Sequence, residues 1–167
     1  MLEFFLSGKL LKDFNNTFIA LIPKILARRV REVMSPLVSD CQGAFVSDRS
    51  MFHNIVVANE VVRGYDRANK TPRCTIKVDL HKAFDSIDWS FLWRVLVQFG
   101  FPGRFIGLIM ECVTSPRYLV LVNGSPEGYF EERKGLRQGD PLSTYLFVLC
   151  MEVLSRKLGA VAEDVGF

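Results

Sequence analysis

The segment Cys74-Thr-Ile-Lys-Val-Asp-Leu80 constrains the fold more than any other stretch, because it is a short apolar run that ends on a carboxylate. Bounded by Pro72 on one side and by His81 and Lys82 on the other, it reads as a buried strand whose carboxyl end delivers Asp79. A carboxylate in that place is costly unless it is paired, hydrogen-bonded or bound to a cation, and its hard oxygens suit Mg2+. A second aspartate, Asp85, follows across Lys82-Ala-Phe84. On position alone two readings stand open: metal binding by Asp79, or a turn closed by Asp79 with Asp85 accepting hydrogen bonds from nearby amides.

The flanking patterns predict a mixed α/β (α+β) fold. Phe18-Ile-Ala-Leu-Ile22 before Pro23 is apolar and β-branched, which predicts a strand, and residues 25–34 place Ile25, Leu26, Val30, Val33 and Met34 at helical spacing with arginines between them. Residues 51–65 are again helical in period, with Ile55, Val56, Ala58, Val61 and Val62 expected to face a core. Asp88 is placed to cap a helix carrying Phe91, Leu92, Val95, Leu96 and Phe99, and Gly100-Phe-Pro-Gly103 separates it from a second helix through Ile109. Arg117-Tyr-Leu-Val-Leu-Val-Asn-Gly124 reads as a strand entering an Asn-Gly turn, with Gly128 to Arg133 as its return. Asp140 and Pro141 open a long helix over Leu142 to Leu158.

Composition excludes more than it identifies. The 167 residues carry 49% hydrophobic side chains and suit one core better than two. A net charge of +3 from 21 basic and 18 acidic residues permits a nucleic-acid partner without announcing one. Cys41, Cys74, Cys112 and Cys150 are too dispersed for a zinc site or a secreted disulfide framework, so free thiols in a reducing, intracellular compartment are expected. Glu3 and Lys9 interrupt the apolar opening, and neither a signal peptide nor a membrane span is expected.

A second string, Lys134-Gly-Leu-Arg-Gln-Gly-Asp-Pro-Leu-Ser143, sets glycines at 135 and 139 just before a helix start. Glycines let a backbone approach a ligand closely, and exposed amides at a helix amino terminus favour an anion. Arg137 is then either a bidentate phosphate contact or a solvent-facing turn residue.

The ordered combination of these strings resembles reverse transcriptases of non-LTR retrotransposons, particularly the LINE-like elements of plants. The resemblance rests on Ala20-Leu-Ile-Pro-Lys24, Gln42-Gly-Ala-Phe-Val46 with Arg49-Ser50, Lys77-Val-Asp-Leu-His-Lys-Ala-Phe-Asp85, and Gly135-Leu-Arg-Gln-Gly-Asp-Pro-Leu-Ser143 followed by Leu146-Phe147. It implies part of a right-hand polymerase fold, with 1–72 as a fingers remnant and 73–167 as a partial palm. It implies RNA template, DNA primer and deoxynucleoside triphosphates as partners, with Mg2+ or Mn2+ as cofactor and no membrane. By the resemblance Asp79 is the catalytic, metal-binding aspartate. Phe84 is the gate beneath the incoming sugar, and Gln138 and Gly139 lie nearest the forming base pair. Arg49 and Arg137 are implied contacts to nucleic acid or triphosphate, and Asp85 takes a structural or supporting place.

The chain departs from that pattern twice. The family's catalytic Asp-Asp hairpin follows the long helix, and these 167 residues hold no adjacent Asp-Asp pair. At Pro23-Lys24-Ile25 family members carry a further stretch with an Arg-Pro-Ile type motif, so an internal deletion is expected near 24–25. Two-metal phosphoryl transfer needs carboxylates from more than one strand. The expectation is a polymerase domain by ancestry, with a catalytically inactive nucleic-acid-binding remnant or a non-functional relic as the alternatives.

Overall fold

The computed structural model describes residues 21–63, 65 and 75–165. Among these described residues, five helices and one hairpin follow in the order α1 (Leu21–Leu37), α2 (Met51–Val62), α3 (Trp89–Gln98), α4 (Gly103–Thr114), β1 (Arg117–Val122), β2 (Ser125–Glu131) and α5 (Pro141–Val165).

Four of the helices form the core. On α1, Leu26, Ala27, Val30 and Met34 fall on one face at helical spacing and are buried, while Arg28, Arg29 and Arg31 face outward. They meet Leu92, Val95 and Leu96 of α3, Ile106, Leu108, Ile109 and Cys112 of α4, and Leu142, Leu146 and Leu149 of α5 in one cluster. Each large side chain buried there contributes about 1.5–3 kcal/mol relative to exposure. Cys112 and Cys150 serve as small apolar residues, and burial pushes each thiol up to about 12. Cys41 is exposed.

The helix starts follow the expected caps. The Asp88 carboxylate accepts from the Phe91 amide at 2.9 Å, and the Asp140 carboxylate accepts from the Leu142 amide at 2.8 Å. In the hairpin, Asn123 (φ 51°) and Gly124 (φ 84°) both adopt positive φ, as a two-residue turn of the primed type requires. The pairing is antiparallel, Arg117 opposite Glu131 and Val122 opposite Ser125, with an irregularity between Leu119 and Val120.

Three expectations are corrected. Of the strand predicted over Phe18 to Ile22, residues 18–20 lie outside the described set, and Leu21 and Ile22 belong to α1. Ile22 sits one turn before Leu26 and packs on the core, so it extends the helical stripe. Residues 75–80 form no ladder and are exposed, with Ile76 and Val78 at 79% and 68%; Cys74 lies outside the described residues. A strand is completed by its neighbour, and the one sheet among the described residues is the β1–β2 pair. The residues of α2 expected to face a core, Ile55, Val56, Ala58, Val61 and Val62, are all exposed, and α2 buries no residue. Helices α1 and α5 also run longer than predicted. Among the described residues no helix is long and apolar enough to cross a membrane.

Candidate nucleotide pocket

The exposed segment carrying Asp79 runs into a turn over 81–86, where Lys82 takes a positive φ of 47° and Ser86 closes the turn through its amide to the Lys82 carbonyl at 3.0 Å. The glycine-rich loop seats directly on the end of this turn. The Gly135 amide donates to the Ile87 carbonyl at 2.7 Å, and the Leu136 amide donates to the Phe84 carbonyl at 2.9 Å. From the helix that follows, the Trp89 indole N–H donates to the Gly135 carbonyl at 2.7 Å. Gly135 is buried at a φ of 96°, and a Cβ there would stand 3.0 Å from the Asp85 Cα. Two backbones in such contact explain why this position is glycine.

Phe84 is half-buried beneath that junction and stacks on Phe147 of α5, ring centres 4.6 Å apart and planes 15° from parallel. The turn and the loop are therefore braced by the same helical core. Beyond Leu136 the loop turns outward, leaving Arg137, Gln138 and Gly139 exposed, with Gly139 at a φ of 86°. The Arg137 guanidinium lies 5.9 Å from the centre of the Tyr118 ring, which stacks in turn on Phe130. Burial, then the Glu132 charge, raises the Tyr118 hydroxyl above its ordinary value, although Arg137 acts the other way. Burial also raises the Asp140 carboxyl, against the Leu142 amide and Arg137.

Arg49 is engaged elsewhere. Its Nη1 donates to the carbonyls of Ser39 at 2.6 Å and Gln42 at 3.2 Å, and its Nη2 to those of Ser35 at 2.9 Å and Val38 at 3.0 Å. With 14% of the side chain exposed and Asp40 3.3 Å away, the guanidinium closes the carboxyl end of α1 and shapes the loop after it. Both terminal nitrogens donate to backbone oxygens in this arrangement.

The structure thus brings Phe84 against the string that carries Arg137, Gln138 and Gly139, and it leaves Arg49 apart. Asp79 and Asp85 are exposed, and among the described residues no three His, Cys, Asp or Glu side chains gather as a metal-binding group. The resemblance implies a divalent metal cofactor. The donor set formed by these residues does not fit a two-metal centre, which needs several convergent carboxylates.

Sequence reasoning passed over Trp89 and Glu152. A tryptophan just inside a helix start carries an N–H that must find a partner when buried, which marks Trp89 in hindsight. Glu152 interrupts the apolar run of α5 with Arg156 one turn on. Its carboxylate accepts from the Ser39 amide at 3.1 Å, the Ser39 hydroxyl at 2.8 Å and Arg156 Nε at 2.8 Å, while Arg156 Nη2 donates to the Leu37 carbonyl at 2.7 Å. This network ties α5 to the end of α1.

The chain matches the family of reverse transcriptases (RNA-dependent DNA polymerases) over residues 16–164 and belongs to it. Within that family it is a reverse-transcriptase sequence of the non-LTR retrotransposon kind. It is 26% identical to the transposon TX1 uncharacterized 149 kDa protein of Xenopus laevis over 79% of the chain and 10% of that protein. It is 25% identical to the Pol polyprotein of the R2DM retrotransposable element of Drosophila melanogaster over 87% of the chain and 14% of that protein. The chain therefore spans a small part of the length of both. A stretch of 37 residues, 22% of the chain, is 62% identical to 30% of the uncharacterized mitochondrial protein AtMg01250 of Arabidopsis thaliana.

Proposed function

We propose that these 167 residues contribute fingers and palm elements, 1–72 and 73–167, to an RNA-directed DNA polymerase, and that the junction of the aspartate turn with the glycine-rich loop is the floor of its nucleotide pocket. The observation that carries this reading is the seating of Gly135 and Leu136 on the carbonyls of Ile87 and Phe84, which joins the loop carrying Gln138 and Gly139 to the turn carrying Phe84. In this reading Phe84 meets the sugar of an incoming deoxynucleoside triphosphate and Gln138 and Gly139 lie by its base, while Arg137, braced on Tyr118, contacts phosphate. Asp79 is the metal-binding carboxylate that these residues contribute, toward Mg2+ or Mn2+, and the further carboxylates come from an Asp-Asp hairpin that the 167 residues do not contain.

A second reading, binding of nucleic acid without polymerisation, is favoured by the exposure of Asp79, which joins no group of three metal-ligating side chains among the described residues. Both readings predict salt-sensitive association with an RNA template and DNA primer. The pocket is tested by titrating the chain with a fluorescent deoxyadenosine triphosphate in the presence of that primer-template. Weaker binding by Phe84→Ala and Gln138→Ala supports it, and binding indifferent to both substitutions overturns it.

A further inference from the structure

We infer that Trp89 is a positioning residue of this pocket: its indole N–H holds the Gly135 carbonyl and so fixes where Gln138 and Gly139 stand relative to Phe84. The inference rests on the pocket reading above. Gly135 is held from two sides, by its amide on Ile87 at 2.7 Å and by its carbonyl on the Trp89 indole at 2.7 Å. The first bond joins the loop to the turn, backbone to backbone. The second joins the loop to a rigid ring whose main chain starts α3, immediately after the Asp88 cap. Leu92, Val95 and Leu96 bury that helix in the core, so the indole ties the carbonyl side of Gly135 to a packed helix, while the amides of Gly135 and Leu136 tie the loop to the turn.

The geometry of the loop makes this hold consequential. Gly135 and Gly139 both have positive φ, and Arg137, Gln138 and Gly139 between and beside them are exposed. Leu136 is buried and anchors one end, and the Asp140 cap with α5 anchors the other. The N–H of Trp89 acts at the root of this arch, where a small rotation of the Gly135 peptide is carried outward to Gln138. Loss of the donor leaves a half-buried carbonyl without its partner, and such a group turns toward water.

The test separates the donor from the bulk of the ring. Trp89→Phe removes the N–H, whereas Trp89→His restores one, because the imidazole Nε2 occupies the same place in its five-membered ring as the indole Nε1. Trp93→Phe, on the exposed face of α3, is the control. Amide hydrogen exchange at Gly135 and Leu136 and affinity for the fluorescent deoxyadenosine triphosphate are measured in the full chain, with thermal unfolding to show that each variant is folded. The expected result is exchange about fivefold faster and nucleotide binding about fivefold weaker in Trp89→Phe, the change that one neutral hydrogen bond gives, with both recovered in Trp89→His. Unchanged exchange in Trp89→Phe, or a Trp89→His variant no better than Trp89→Phe, overturns the inference. Faster exchange in Trp89→Phe with no nucleotide bound by any form, the unsubstituted chain included, overturns the pocket reading and the positioning role with it.

Discussion

Replacing Gly135 with alanine separates two costs that the structure assigns to one position. The first is conformational: at a φ of 96° an L-residue sits in a sparsely populated region and costs about 1–3 kcal/mol. The second is steric, because the new Cβ meets the Asp85 Cα at 3.0 Å, its carbonyl oxygen at 3.1 Å and its carbonyl carbon at 3.3 Å. None of these is the end of a side chain that can swing aside, so the loop must lift off the turn. Lifting stretches the bonds from Gly135 to Ile87, from Leu136 to Phe84 and from Trp89 to Gly135, each with a net value of about 0.5–1.5 kcal/mol. Weakening two of them adds about 1–3 kcal/mol. Gly139→Ala is the control: its φ is 86°, but nothing lies within 4 Å of the added Cβ, so it carries the conformational cost alone. The reduced freedom of the unfolded chain is common to both variants and cancels in their difference. In urea denaturation, with a slope near 2 kcal/mol per molar, Gly135→Ala should unfold roughly 1 M before Gly139→Ala. Equal midpoints would refute the close seating of loop on turn.

The Arg49 clamp predicts that Arg49→Lys, which exchanges a planar fork for a single ammonium, loses about 2–3 kcal/mol and lowers the melting temperature by several degrees. Arg49→Gln, which removes the charge, should leave the salt dependence of primer-template binding unchanged, because the guanidinium faces carbonyls; a shallower slope would show that it faces phosphate. For Glu152, burial pushes the carboxyl up, but hydrogen bonds from Arg156 and from the Ser39 hydroxyl and amide outweigh it, so it titrates below its ordinary value of 4.5. A depressed folded value stabilises above the unfolded value and is lost as pH falls through the folded one. Thermal melts should accordingly fall more steeply below about pH 4.5 for the unsubstituted chain than for Glu152→Gln, and parallel profiles would contradict the network's role.

Local periodicity carried much of the architecture. The apolar stripes of α1, α3, α4 and α5, the caps at Asp88 and Asp140, and the Asn123-Gly124 turn all depend on residues near one another in sequence, and each appears in the structure. The misreadings share a different cause. Residues 75–80 have the composition of a strand, but a ladder requires a partner contributed from elsewhere in the chain. The stripe on α2 has helical spacing, yet periodicity says that a face is apolar without saying what covers it. At the site, the assignment of Phe84 and the glycine-rich string to one pocket came from the family resemblance alone, and what the structure shows is the Leu136 amide on the Phe84 carbonyl. The partners of Arg49 and Trp89 are backbone carbonyls, which every residue possesses, so no residue type in the sequence marked them.

The central claim is that the described residues build the junction of aspartate turn and glycine-rich loop without gathering among themselves the carboxylates for two-metal chemistry. Extension of a labelled DNA primer on an RNA template, with Mg2+ or Mn2+ supplied, tests it directly. The chain should give no more than trace extension, several powers of ten below a chain continued through an Asp-Asp hairpin, since each roughly 1.4 kcal/mol of lost transition-state stabilisation is tenfold in rate. In the continued chain, Asp79→Ala should abolish synthesis. Robust extension by the 167 residues alone, abolished by Asp79→Ala, would contradict the account and show that other carboxylates in the chain complete the metal site.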